Sequence, residues 1–531
     1  MKLFPALATS QRISGTSESR LDWAKRTLQH CLANHSRCNA QVGPRTLPSR
    51  IIDVKSEPVR LCESQDDVGS YICLSHCWGS VMPACRTTIR KLKRNKEGID
   101  WKLLPKTFQD AIIITRKLKV RYIWIDSICI IQDDEEDWRS EAAKMAGIYA
   151  GALLTISATA AKHDDQGFIS TAREWMDGTK ISVRTKEEVP YDIYVRHKIP
   201  HHPDFSPGIP DDDYKPNAIR LLSRGWVYQE RLLSSRLLRF DKLEMVWECK
   251  QNTTCECMQF PTSRTLRNDY YENPLKSSIK VEHAKALESA IDDPALCAKR
   301  WRQMVVEYSD LSLTKEEDKL VALAGLAQEM KLYRLDELYL AGMWEKSLFS
   351  DMLWELFEGF VGYKHSVVWS RPSWSWLSVT GRIYYCEEVE RVTLVFPQLL
   401  KVFGDLENTF VAGAETLALT LQGQLLSTKI CHSLSKRSTT TLQGEYYYRW
   451  DEKGDDLREA LPKDSTVYCL RVAETLTRRM PKLVKSEFYL LLGRSNQQIS
   501  AYSRLGIVLA VFENGNKSPF EGIEHTTITL V

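Results

Sequence analysis

The 531-residue chain lacks any uninterrupted apolar stretch of about 18 residues, and without one an α-helix has nothing to span the ~30 Å hydrocarbon core of a bilayer. It has little net charge, +3, so neither nucleic acid nor an acidic membrane is an expected partner. The basic run from Arg86 to Lys96 holds few aromatics and reads as a solvated loop or helix face. The motifs G-x-x-x-x-G-K-[ST], G-x-G-x-x-G after a strand, and H-E-x-x-H are missing. Their absence counts against a P-loop ATPase, a Rossmann dehydrogenase and a zincin. No internal repeat is evident, which argues against a propeller or solenoid. Met1-Lys-Leu-Phe-Pro5 carries a single charge and a broken apolar run, a poor secretory signal. The fourteen cysteines follow no regular spacing, so reduced thiols in a cytoplasmic protein are expected rather than a disulfide scaffold.

What is present begins with an ordinary globular composition, 43% apolar and 27% charged. The length suits roughly three domains, and fifteen tryptophans can anchor large cores. The chain is organised around Tyr122-Ile-Trp-Ile-Asp126-Ser127-Ile-Cys129-Ile-Ile-Gln132. The apolar run reads as a strand buried on both faces, and an acid at its end costs several kcal/mol unless it is paired or hydrogen-bonded. Upstream, Tyr71–Ser75 is a short apolar strand followed by His76-Cys77-Trp78-Gly79. Pro105 can start a helix, with Phe108, Ala111, Ile114 and Leu118 on one face. Asp133 or Asp134 can cap the next helix, whose buried stripe is expected to be Trp138, Ala142, Met145 and Tyr149. Leu153–Ala158 is a third strand. This alternation predicts an α/β fold with a largely parallel sheet flanked by helices.

Sites in such sheets form beyond the carboxyl ends of the strands. The loops opening at Ser75-His76-Cys77 and Asp126-Ser127-x-Cys129 should therefore lie side by side. Cys77 is the thiol-nucleophile candidate, His76 is expected to bond Asp126, and plain packing under Trp78 is the default role of Cys77. A catalytic thiol needs a base or a positive field to ionise near neutrality. Cys129 is expected to be buried. In Ser223-Arg224-Gly-Trp226-x-x-Gln229-Glu230, Arg224 or Arg231 can pair with Asp126 or Asp133. Cys31-x3-His35-x2-Cys38 offers three residues that can ligate zinc, but a structural site takes four ligands and no fourth is evident nearby. Cys249, Cys255 and Cys257 read as a loop of free thiols. No metal and no cofactor is expected.

Leu74-Ser-His-Cys-Trp-Gly79, Leu104-Pro-Lys-Thr-Phe-Gln-Asp-Ala111, Trp124–Gln132 with Asp137-Trp138, and Ser223–Glu230 closely resemble, in order, the motifs of the fungal heterokaryon incompatibility (HET) domain. The match extends to Gly167-Phe168 with Arg173, to Leu233-Ser234-x-Arg236 and to Trp247-Glu-Cys249, and covers roughly residues 45–250. The resemblance implies a fungal protein of non-self recognition and programmed cell death, with another protein of that response or a small molecule as partner. Proposed similarity of the family's core to TIR domains raises NAD cleavage, which depends on a Glu in a helix. The corresponding residue here is Glu141, after Trp138, with spacing and neighbours that depart from that pattern. A cysteine-dependent enzyme of secondary metabolism is the alternative. Catalytic candidates are then Cys77, His76, Asp126 and Glu141. Ser75, Trp78, Ser127, Cys129, Gln132, Arg224, Trp226, Gln229 and Glu230 are expected to line the site.

The expected division is an N-terminal helical segment (1–45), the HET domain (46–250, with an insertion at about 163–220), a helical region (251–385) and a β-rich region (386–531). The last rests on short β-type runs such as Val467–Val472, Phe488–Leu492 and Ile507–Phe512 between polar turns, which suggest an antiparallel sheet or barrel.

Overall fold

The computed structural model describes residues 17–39, 45–79, 81–169, 179–184, 190–195, 220–242, 244–256, 279–291, 293–356, 371–406, 417–432, 437–439, 445–451, 465–479, 482–495, 500–512 and 518–531. Most of the expected insertion lies outside them, as do Arg173 and Cys257. The chain forms two compact units, Met1–Lys285 and Ala286–Val531.

The first unit is built on an eight-stranded sheet. Its strands are β1 (Arg50–Asp53), β2 (Arg60–Glu63), β3 (Tyr71–Ser75), β4 (Tyr122–Trp124), β5 (Leu154–Ser157), β6 (Arg236–Phe240), β7 (Met245–Cys249) and β8 (Thr253–Cys255). They lie in the order β8-β7-β6-β5-β3-β4-β1-β2. The four central strands, β6, β5, β3 and β4, run parallel. Antiparallel strands close both margins, so the sheet is mixed, with its parallel part at the centre. All five residues of β3 are buried, as a strand covered on both faces requires.

An 18-residue helix, α1 (Ser17–Asn34), and a one-turn helix, α2 (Ser36–Asn39), precede the sheet. The crossover helices are α3 (Lys106–Lys117), between β3 and β4, and α5 (Glu135–Gly151), between β4 and β5. Pro105 is the N-cap of α3, and Phe108, Ala111 and Ile114 are buried beneath it. Burial of Phe108 and of Ile114 contributes about 1.5–3 kcal/mol each. Asp134 caps α5 by accepting from the Glu136 and Asp137 amides, which satisfies donors that the first turn leaves without partners. Its buried residues are Glu141, Ala142, Met145, Ile148 and Tyr149. Trp138 is only half-buried and meets Trp226 edge to face at 6.5 Å. The strand expected through Asp126 stops at Trp124, and Asp126 opens a one-turn helix, α4 (Asp126–Cys129). Arg50 ties β1 to both helices: it donates to the Cys129 carbonyl at 2.7 Å and to the Asp137 carboxylate at 2.5 and 2.7 Å.

In the second unit, helices Pro294–Ser309 and Asp318–Lys331 pack in a core rich in tryptophan. Trp301 and Trp376 both donate their indole N–H to the carbonyl of Gly342, at 2.9 and 3.0 Å. The β-rich part is a closed circuit. Strand Ala418–His432 pairs with Thr466–Arg479, and the pairing continues through Lys482–Arg494, Ala501–Phe512 and His525–Leu530 back to Ala418–His432. Four further strands, Val392–Val395, Gln398–Phe403, Arg437–Thr439 and Glu445–Trp450, branch from this circuit. Val467, Cys469, Tyr489, Leu491, Val508 and Ala510 form one core with Phe520.

Candidate functional site

β3 and β4 pair in parallel, with Cys73 opposite Trp124, so the loops that follow them open on one rim. The Trp78 indole donates to Asp126 Oδ2 at 2.9 Å. The His76 ring is buried, with Phe108 edge-on at 5.0 Å. Its Nε2 lies 3.8 Å from Asp126 Oδ1 and 3.4 Å from Asp164 Oδ1. One further acid and a cation lie at this rim. α6 (Gly225–Leu233) brings Glu230, whose carboxyl adjoins the Ser75 and Tyr149 hydroxyls. Arg224, the N-cap of α6, donates to the His76 carbonyl at 3.0 Å.

Burial sets the electrostatics. Asp164 is 3% exposed. Desolvation, with Asp126 and Asp165 adding like charge, pushes its carboxyl up to about 8. Glu230 is pushed up to about 7, first by burial, with the Ser75 hydroxyl pulling the other way and the Asp126 charge adding to the rise. Burial also drives His76 downward, against the pull of Asp126. Neither Asp164 oxygen nor His76 Nε2 finds a hydrogen-bond partner among the described residues. The rim therefore holds two acids raised by burial, Asp164 beside an imidazole that burial lowers and Glu230 beside the Ser75 and Tyr149 hydroxyls.

Cys77 is 4% exposed and packs with Leu221, Leu222 and Val227. Burial raises its thiol, and Arg224 offsets this only in part. Cys129 is fully buried and likewise raised by desolvation. Ser127 is buried with its amide donating to Asp126 Oδ1 at 2.7 Å, and Gln132 donates to the Asp126 carbonyl at 3.2 Å. Gln229 is buried on α6. Glu141 does not join His76: it pairs with Lys144 at 2.9 Å and its charge acts on Cys129.

Several expectations need correction. Asp126 is not the buried acid at this rim, since its side chain is 21% exposed; Asp164 and Glu230 are. Arg231 pairs with neither Asp126 nor Asp133. It forms a two-bond fork with Glu248, both at 2.8 Å, and Asp133 accepts from the Ile89 amide. Asp164 was not anticipated, although topology carried the signal: β5 is the other parallel neighbour of β3, so the loop after it must open on the same rim. Gly167 has φ +70°, and a Cβ there would meet Asp110 Oδ2 and Lys106 Cγ, both at 2.7 Å. Asp110 accepts from the Phe168 and Ile169 amides, so α3 anchors the loop that carries Asp164.

The thiol readings also change. Cys249 does not belong with Cys255; its side chain meets Cys31, His35 and Cys38, the four ligand atoms lying within 4.8 Å of one another. The missing fourth partner is present, more than two hundred residues along the chain from the other three.

No curated protein and no solved structure matches the chain. Residues 71–230 match the family model described as heterokaryon incompatibility protein (HET), a span that opens at β3 and closes on Glu230. Over those residues the chain carries a HET domain.

Proposed function

We propose that the protein acts in fungal non-self recognition as an incompatibility or cell-death effector, and that the rim cluster of His76, Asp164 and Glu230 is its working site. The observation that carries this reading is the burial of two acids, Asp164 and Glu230, at the rim where these loops open, with Asp164 Oδ1 3.4 Å from His76 Nε2. Burying such groups costs stability, and groups tuned toward neutrality are what proton transfer uses. Asp164 and Glu230 would hold and release protons, His76 would accept one at Nε2, and Arg224 would hold the loop at the His76 carbonyl. A thiolate mechanism through Cys77 has less support, because the thiol is enclosed and shifted away from ionisation. The same acids favour, as a second reading, an acid–base enzyme acting on a small molecule.

Controlled expression in a fungal host tests the assignment. Wild type should arrest growth, and Asp164→Asn with Glu230→Gln should relieve the arrest while the protein stays folded. Full toxicity in that double variant would remove the cluster from the function. Harmless wild-type expression, with a new compound in culture extracts that the double variant fails to make, would move the assignment to the enzyme reading.

A further inference from the structure

Cys31, at the end of α1, His35 in the following turn, Cys38 in α2 and Cys249 at the end of β7 converge on one point. All four are buried. The Cys249 sulfur lies 3.3 Å from His35 Nδ1; two ligands of a tetrahedral zinc, at ~2.3 Å for sulfur and ~2.0 Å for nitrogen, stand about 3.5 Å apart. Packing alone does not account for the cluster, because apolar packing gives no reason for three sulfurs and a ring nitrogen to aim at one another. The surroundings fix the ligands. The His35 amide donates to the Cys31 carbonyl at 3.1 Å and the Cys38 amide to the His35 carbonyl at 3.2 Å. Asn39 donates to the Cys31 and Leu32 carbonyls. Arg236 of β6 donates to the Cys38 carbonyl and to Asn39 Oδ1. The Asn252 amide donates to the Cys249 sulfur at 3.3 Å, the kind of outer contact that steadies a metal-bound thiolate.

We infer that Cys31, His35, Cys38 and Cys249 form a structural zinc site that fastens the N-terminal helices to strands β6 and β7 of the sheet. Three thiolates and one imidazole in a closed, buried site favour zinc over oxygen-seeking cations and leave no position open for catalysis. Binding releases the ligands' protons and adds its free energy to folding.

The test is elemental analysis of the untagged full chain, purified with zinc under reducing conditions. Wild type should carry one zinc per chain. Cobalt put in its place should give the intense visible bands of a tetrahedral thiolate site. Cys249→Ser should lose the metal or bind it at least tenfold more weakly, whereas Cys297→Ser, a buried thiol beside Met330, should keep it. A folded, reduced wild type that takes up neither zinc nor cobalt overturns the site, as does a native disulfide among the three cysteines. Because the first readout is on wild type, misfolding of a variant leaves the question decided.

Discussion

Asp164 and Glu230 keep their protons at a pH where an exposed carboxyl has long lost them. For Asp164 the folded value, about 8, stands above the ordinary 3.8. The folded state therefore binds more protons than the unfolded one between those limits, and stability falls as pH rises through that window. Asp164→Asn removes the titration. The variant should gain roughly 1–3 kcal/mol on wild type between pH 5 and pH 8, read from denaturant midpoints at each pH. An unchanged difference would mean that Asp164 titrates normally. Cys77 leads to a chemical prediction: in native protein it should resist alkylation while the half-buried Cys62 and Cys386 react, as peptide mass spectrometry would record. Cys77 and His76 were legible in the sequence because they follow an apolar strand directly. Asp164 was not, because burial of an acid in a polar loop is decided by what packs over it.

Between elements, the buried fork of Arg231 on Glu248 is joined by Arg239, which meets the same carboxylate at 2.6 Å. This holds α6 against β6 and β7. The two guanidiniums keep Glu248 ionised and, against the cost of burial, bring it down to about 2. Its contribution is thus present above the ordinary 4.5 and is lost as pH falls toward 2. Glu248→Gln leaves two buried cations short of their counter-charge and should cost about 3–5 kcal/mol in urea unfolding at neutral pH. Lys280 adds a further tie, donating to the Arg231 and Ser234 carbonyls at the end of α6. The helices and strands here were readable from periodicity, but their partners were not. Arg231 and Glu248 lie on different elements, and the sequence offered several acids of equal merit.

At the scale of the molecule, each unit has its own core, so calorimetry should resolve two transitions. Glu248→Gln should lower only the one belonging to the first unit. In the second, Gly342 has φ +85°, and a Cβ there would meet Trp376 Nε1 at 2.7 Å. Gly342→Ala should cost about 1–3 kcal/mol and lower only the other transition; a single transition shifted by both variants would contradict this independence. The β-rich half was foreseen as an antiparallel sheet or barrel. The parallel pairing of Ala501 and Tyr502 with Thr529 and Leu530, which helps to close it, was not.

By itself the sequence determined the alternation of strands and helices, the family motifs and the rim on which two loops open, because apolar period and strand-to-loop transitions are local. Only the tertiary structure decided which acids are buried, which arginine meets which glutamate, and that Cys249 completes the group begun at Cys31. Desolvation and coordination depend on groups brought together from far along the chain, and spacing along a sequence carries no record of that distance in space.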